Sequence, residues 1–276
     1  MPTVVGIAPM VEMLANEWAA VDELCSGLSA EQFAATTCLP GWTVQDQLAH
    51  IAGVELMLDG VPAPDVDVSH LPHLHNDVAR MGEVWVEDMR RLSGPEVVAV
   101  FRDVTTRRLA SLGAMTQEQF DAPSWTPVGA DETYGRFMRI RHFDTFMHEH
   151  DIRGALDMDD RAEPDEVTSV LCEVEPSLGY IVGRRASMPD GSRVLICLTG
   201  PVERTYRVVV DGRARLVDDD AALGGDPTVT LSMPTMVFLR LAGGRLSAET
   251  FIGDELELGG DLVLARQLAD NLTFTI

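Results

Sequence analysis

Partway along this chain the spacing of its apolar residues changes period, and that change constrains the fold more than any other feature. Up to about residue 156, apolar side chains recur every three or four positions, the period of a helix with one buried face. After the acidic stretch 157–164 (Asp-Met-Asp-Asp-Arg-Ala-Glu-Pro) they alternate in short β-branched runs punctuated by Gly and Asp. The two periods call for two modules, a helical one over 1–158 and an α+β one over 165–276, with the acidic stretch as linker. At 276 residues and 46% hydrophobic content, each module can own a core.

In the first module, residues 9–28 place Met10, Leu14, Trp18, Val21 and Leu24 on one helical face. A polar connection follows over 29–42. Thr43 then has the chemistry of an N-cap, with Asp46 three residues on, and opens a helix over 44–58. Val44, Leu48, Ile51, Glu55 and Leu58 form its apolar side, His50 lies at the edge, and Glu55 reads as a long side chain snorkelling out from the helix end. An acidic, Pro-containing loop follows, and His70, His73 and His75 after it read as a lid or a solvated connection. Helical spacing resumes over 76–92 and 95–114, broken at Gly94-Pro95, where Pro suits a first-turn position. A loop with Pro123, Trp125, Pro127 and Gly129 leads to a long helix over 134–156. The pattern predicts a bundle of four or five helices. In the second module a helical segment containing Pro176 precedes strands over 193–198, 205–210, 213–217 and 228–232. A helix over 234–242, a strand near 255–258 and a helix over 261–271 complete it.

The long helix carries the concentrated chemistry. At ~100° per residue, His148 falls near +40° and Asp151 near −20° from Asp144, in the sector of Phe137, Ile140, Met147 and Ala155. The same arithmetic puts His142, Glu149, His150 and Arg153 on the opposite half, expected to be solvated. A carboxylate facing a core needs a cation, because an unpaired buried charge costs several kcal/mol. Two readings satisfy it: a divalent metal shared by Asp144 and His148, or an ion pair from Asp144 to Arg80 or Arg139 with His148 as a hydrogen-bonded core residue.

Other classes are excluded by what is missing. The formal charge of −23, from 44 acidic and 21 basic residues, opposes binding to nucleic acid or an anionic membrane. All the basic residues are Arg, so lysine Schiff-base and P-loop chemistry are absent. Cys25, Cys38, Cys172 and Cys197 form no C-x-x-C pair and suit a reducing cytoplasm. No run approaches the ~18 apolar residues of a membrane span. No nucleophile elbow or dinucleotide fingerprint occurs.

The segment Leu39-Pro40-Gly41-Trp42-Thr43 leading to a helical His50, with the acid-x-x-x-His-x-x-Asp pattern about ninety residues later, resembles the mycothiol-dependent maleylpyruvate isomerase family. Residues 228–232 and 238–245 look like the sterol-carrier-like domain that accompanies it. The resemblance implies a DinB-like metal-binding four-helix bundle joined to a sterol-carrier-like α+β domain. It implies zinc or another divalent metal on His50, Asp144 and His148, with Asp144 where the isomerases typically have Glu. Mycothiol, an actinobacterial thiol, is the implied cofactor, with a small electrophile or diacid as substrate and a monomer or homodimer as the assembly. The reaction implied is isomerisation of a maleylpyruvate-like diacid or transfer of the thiol to an electrophile. Arg245, with Arg240 as rival, is the implied cationic anchor for substrate. Asp151 is the candidate for supporting the metal centre or contacting the thiol, and Arg80 for contacting the thiol. Two alternatives stand beside this: a non-catalytic protein holding an apolar ligand in its second domain, and a DinB-like enzyme of secondary metabolism that does not use mycothiol.

Overall fold

Reciprocal caps set where several helices begin. The computed structural model describes residues 3–72 and 74–275, so His73 of the loop histidines lies outside the described residues. Helix α1 (Ile7–Cys25) buries Met10, Leu14, Trp18, Val21 and Leu24. Helix α2 (Val44–Leu58) starts at a capping box in which Thr43 accepts from the Asp46 N–H and Asp46 accepts from the Thr43 N–H at 2.8 Å. Helix α3 (Asp77–Met89) follows Asn76, whose side-chain oxygen accepts from the Ala79 N–H at 2.8 Å. Helix α4 (Gly94–Gly113) has Pro95 in its first turn, where no intrahelical N–H is needed. The long helix α5 spans Tyr134–Ala155.

Where a polar connection and a loop were expected there are capped turns at Ala30–Phe33 and Gln117–Phe120 and a hairpin of strands β1 (Pro123–Thr126) and β2 (Gly129–Thr133). Elements of four or five residues are too short to show a period. The hairpin is antiparallel and packs on α5.

The chain divides into two compact units, Met1–Asp160 and Arg161–Ile276. In the first, α1 packs on α4 and α5, α2 packs on α4 and α5, and α3 covers α2. The four-helix core is filled by Leu14, Leu48, Ile51, Phe101 and Met138, among others. Helix α5 is flanked by α1 on one side and by α2 on another, so it has no broad solvated face. His142 and Glu149, expected outside, are fully buried, and His150 is 4% exposed. His150 Nδ1 bonds the Phe146 carbonyl at 2.8 Å, and Arg153 covers Glu149 through a 2.7 Å contact. Amphipathic bookkeeping failed here because it assumes one core side per helix.

The second unit begins with α6 (Pro164–Val174). Its sheet has strands β3 (Arg193–Thr199), β4 (Arg204–Asp211), β5 (Arg213–Val217), β6 (Val229–Pro234) and β7 (Glu257–Gly260) in the order β5-β4-β3-β6-β7. Only β3 and β6 are parallel; the other neighbours are antiparallel. Val194, Ile196 and Leu198 face the core from β3 while the residues between them are partly exposed, the period of two that marks a one-sided strand. Helix α7 (Thr235–Ala242) lies against β3 and β6, and α8 (Leu262–Ala269) against β6 and β7. The protein is thus helical in one unit and α+β in the other. Among the described residues no helix is long and apolar enough to cross a membrane, and the four cysteines form no disulfide.

Helices α2 and α3 meet at Gly53, where a Cβ would stand 2.3 Å from the Trp85 Cβ and 2.6 Å from its Cγ. That approach is possible only for glycine. In Gly53→Ala the helix-propensity gain of about 1 kcal/mol is outweighed by forcing two buried helices apart, a strain of about 1–3 kcal/mol. The variant should show a lower urea midpoint than wild type at an unchanged slope.

Candidate metal centre

Helices α2 and α5 lie side by side and bring three polar side chains to one point. His50 Nε2 stands 3.3 Å from Asp144 Oδ2, and His148 Nε2 stands 3.5 Å from Asp144 Oδ1. One donor atom from each residue falls within 4.8 Å of the others. The imidazole centroids are 4.6 Å apart, and the Trp42 ring covers both, 5.1 Å from His50 and 5.8 Å from His148. Trp42 is itself tied down, its indole N–H donating to Glu83 at 3.1 Å. Against the far edge of His50 lies Gly82 of α3, where a Cβ would come within 3.1 Å of Cε1 and Nδ1.

The hydrogen bonds orient His148. Thr37 donates its hydroxyl proton to the Trp42 carbonyl at 3.0 Å, so its oxygen accepts from Gln47 Nε2 at 2.8 Å. That turns Gln47 Oε1 toward His148 Nδ1, 2.5 Å away, and Nδ1–H is the donor. Asp151 Oδ2 stands 3.5 Å from the same nitrogen, and its other oxygen accepts from the Cys38 thiol at 3.1 Å. With Nδ1 holding its proton, Nε2 presents a lone pair to the Asp144 carboxylate unless a cation lies between them. A proton or a metal ion meets that need. A carboxylate and amide that fix the remote nitrogen of a histidine are the usual support of a metal-binding imidazole.

Asp144 is also gripped from below. Burial, the largest single influence on it, pushes its carboxyl upward. The positive charges of His148 and Arg141 and hydrogen bonds from both histidines outweigh that and hold it well below the usual carboxylate range. Burial lowers His50 to about 4 despite its contact with Asp144, so it is a neutral imidazole near pH 7, the form that binds metals. Arg141 bonds Asp144 and, through Nε at 2.9 Å, Glu55 Oε1. Arg108 bonds the other Glu55 oxygen at 3.0 Å and the Tyr134 hydroxyl at 2.8 Å. Glu55, expected to reach toward solvent, is instead fully buried between the two guanidinium groups.

The Asp144 side chain is 30% exposed and opens on a cleft that lies within the helical unit. His50, Arg141 and Asp144 line it on the polar side; the rest of the wall is Gly82, Pro127 and large apolar side chains.

His50, Asp144 and His148 therefore come together as a group, with Asp151 behind His148. Asp144 does pair with an arginine, but with Arg141 rather than Arg80 or Arg139, because three residues along α5 set Arg141 on the same side. Arg80 bonds Asp77 and the Leu74 carbonyl at the surface and does not line the cleft. Arg245 lies just after α7 in the second unit, donating to the Gly243 carbonyl at 3.0 Å. Sequence reasoning did not single out Gln47, Trp42 as a cover, or Arg141. Gln47 shares a face with His50 three residues later, and Arg141 sits near +60° on the Asp144 sector, so spacing carried both signals.

Residues 14–153 match the family described as mycothiol maleylpyruvate isomerase N-terminal domain, and residues 171–267 match the MDMPI C-terminal domain. A crystal structure of the mycothiol-dependent maleylpyruvate isomerase is similar in fold, with a TM-score of 0.58 and 14% identity over 94% of this chain and 96% of that one. The crystal structure of a His-to-Ala mutant of that isomerase gives a TM-score of 0.58 and 13% identity over the same shares. No curated protein sequence matches the chain.

Replacing Glu55 with Leu leaves two buried guanidinium groups without their shared acceptor. Breaking a buried ion pair from one side costs about 3–5 kcal/mol. Urea unfolding of Glu55→Leu should show a loss of that size, and a loss below about 1 kcal/mol would mean that the arginines find other acceptors.

Proposed function

Because the chain belongs to the mycothiol maleylpyruvate isomerase family, we propose that it is an enzyme that uses mycothiol and a divalent metal held by His50, Asp144 and His148. The observation that carries this is the convergence of two imidazoles and a carboxylate within 4.8 Å at the edge of an open cleft. Two nitrogen donors and one oxygen donor with room for a further ligand is the donor set of catalytic zinc, and zinc is the metal we assign. When bound, such an ion would lower the pKa of a coordinated thiol from about 8.5 and supply a thiolate at neutral pH. The reaction is isomerisation of a maleylpyruvate-like diacid or transfer of the thiol to an electrophile.

The protein's own groups prepare that chemistry. Gln47 and Asp151 keep the His148 proton on Nδ1, so that Nε2 is the donor. Asp151 acts through His148, and its place behind the ring favours that role over contact with substrate. Arg141 holds Asp144 ionised and turned toward the histidines. Trp42 covers the imidazoles and limits water around them. The shorter reach of Asp144 compared with Glu is met by the histidines, whose Nε2 atoms stand 3.3 and 3.5 Å from its oxygens. We place the enzyme in the cytoplasm, where thiols stay reduced and cysteines that form no disulfide among themselves are the norm.

Metal analysis and calorimetry test the centre directly. The purified protein should carry stoichiometric zinc, His148→Ala should lose it, and Gln47→Leu should bind it roughly 10–100-fold more weakly. Adding mycothiol to the cobalt-substituted protein should produce a thiolate-to-metal absorption band. Metal content that survives His148→Ala, or a cobalt spectrum indifferent to mycothiol, would refute the proposal.

A further inference from the structure

Beside the three-residue centre, the cleft has a wall of apolar side chains that is partly open to water. Val54, Met57, Met81, Trp125, Phe137 and Ile140 make up most of its lining, from α2, α3, the β1–β2 hairpin and α5. Met81 is 41% exposed and Trp125 46%, so large apolar side chains meet water at a concave site. The Trp125 ring is braced edge-to-face by Phe137, with centroids 5.9 Å apart and planes at 82°. The charges at the cleft edge are already matched. Arg141 is the one Lys or Arg side chain lining the cleft among the described residues, and it is buried and bonded to Glu55 and Asp144. Asp144, the charged group at that edge that reaches water, is negative.

A ligand that fits must therefore cover apolar surface and bring no negative charge. We propose that the electrophile this cleft takes is uncharged and apolar, with its body packed against Trp125 and Met81. A carboxylate on such a ligand would lose its hydration beside Asp144, with no accessible cation in the described lining to compensate. Loading the centre leaves this balance in place, because the two charges of a divalent ion are offset by Asp144 and a thiolate. A small diacid has two carboxylates to desolvate and little apolar surface to set against them. Of the two candidate reactions, the cleft thus favours transfer of the thiol to a neutral electrophile over isomerisation of a diacid. That role in turnover rests on the proposed metal and mycothiol chemistry, whereas binding at the wall does not.

Calorimetry on the full-length protein, stripped of metal with a chelator, tests the wall by itself. The probes are methyl trans-cinnamate, trans-cinnamate and fumarate, which share an alkene conjugated to a carbonyl and differ in charge and apolar body. The neutral ester should bind roughly tenfold or more tightly than cinnamate, and fumarate should bind more weakly still. Trp125→Ala should weaken the ester roughly fivefold by removing the ring it packs on. Met81→Asp, also at an exposed position, should weaken it by a similar factor. Cinnamate or fumarate binding as tightly as the ester, or ester binding unaffected by both substitutions, would overturn the inference. Either result leaves the metal and mycothiol measurements standing, since they are made on separate preparations with a different readout.

Discussion

The buried ion pairs centred on Glu55 connect the stability of the helical unit to the geometry of its centre. One carboxylate on α2 binds Arg108 of α4 and Arg141 of α5, and Arg141 passes the connection on to Asp144. Three of the four bundle helices are joined by groups that cannot be left unpaired without a penalty of several kcal/mol. An apolar core of the same volume would pack the bundle as well. It would not fix the carboxylate of Asp144 in direction and charge, and that is the distinctive effect of this arrangement.

A second layer of polar contacts orients the histidines. The chain from Trp42 carbonyl to Thr37, Gln47 and His148 decides which imidazole nitrogen carries the proton. The same loop supplies Trp42 as a cover and Cys38 as a donor to Asp151. The connection between α1 and α2 therefore supplies the cover, a donor to Asp151, and the Thr37 hydroxyl that turns Gln47 toward His148. Its Pro-Gly-Trp-Thr sequence has a local cause: Gly41 adopts φ 83°, and Thr43 caps the next helix.

The cleft places the centre in a chemical context. Charge is confined to one edge, where Asp144 is partly open and Arg141 is buried against Glu55 and Asp144. Apolar groups form the remaining wall, including the exposed Trp125 of the hairpin. Such a division strengthens the few electrostatic contacts at the polar edge, because apolar surroundings lower the local dielectric.

The sequence by itself determined the two-module plan, the α2 start at Thr43, and the pairing of Asp144 with His148 on one helical face, because these follow from period and capping, which are local. With the family resemblance it also named His50. Tertiary structure alone decided that α5 is enclosed on two sides, which buries His142, Glu149 and His150 against expectation. It also decided that Glu55 turns inward to two arginines and that Arg141 is the partner of Asp144. A helical wheel reports which residues share a direction but not how many neighbours a helix has. For a chain whose central helix is enclosed on two sides, that number settles which charges are buried and which partners they must find.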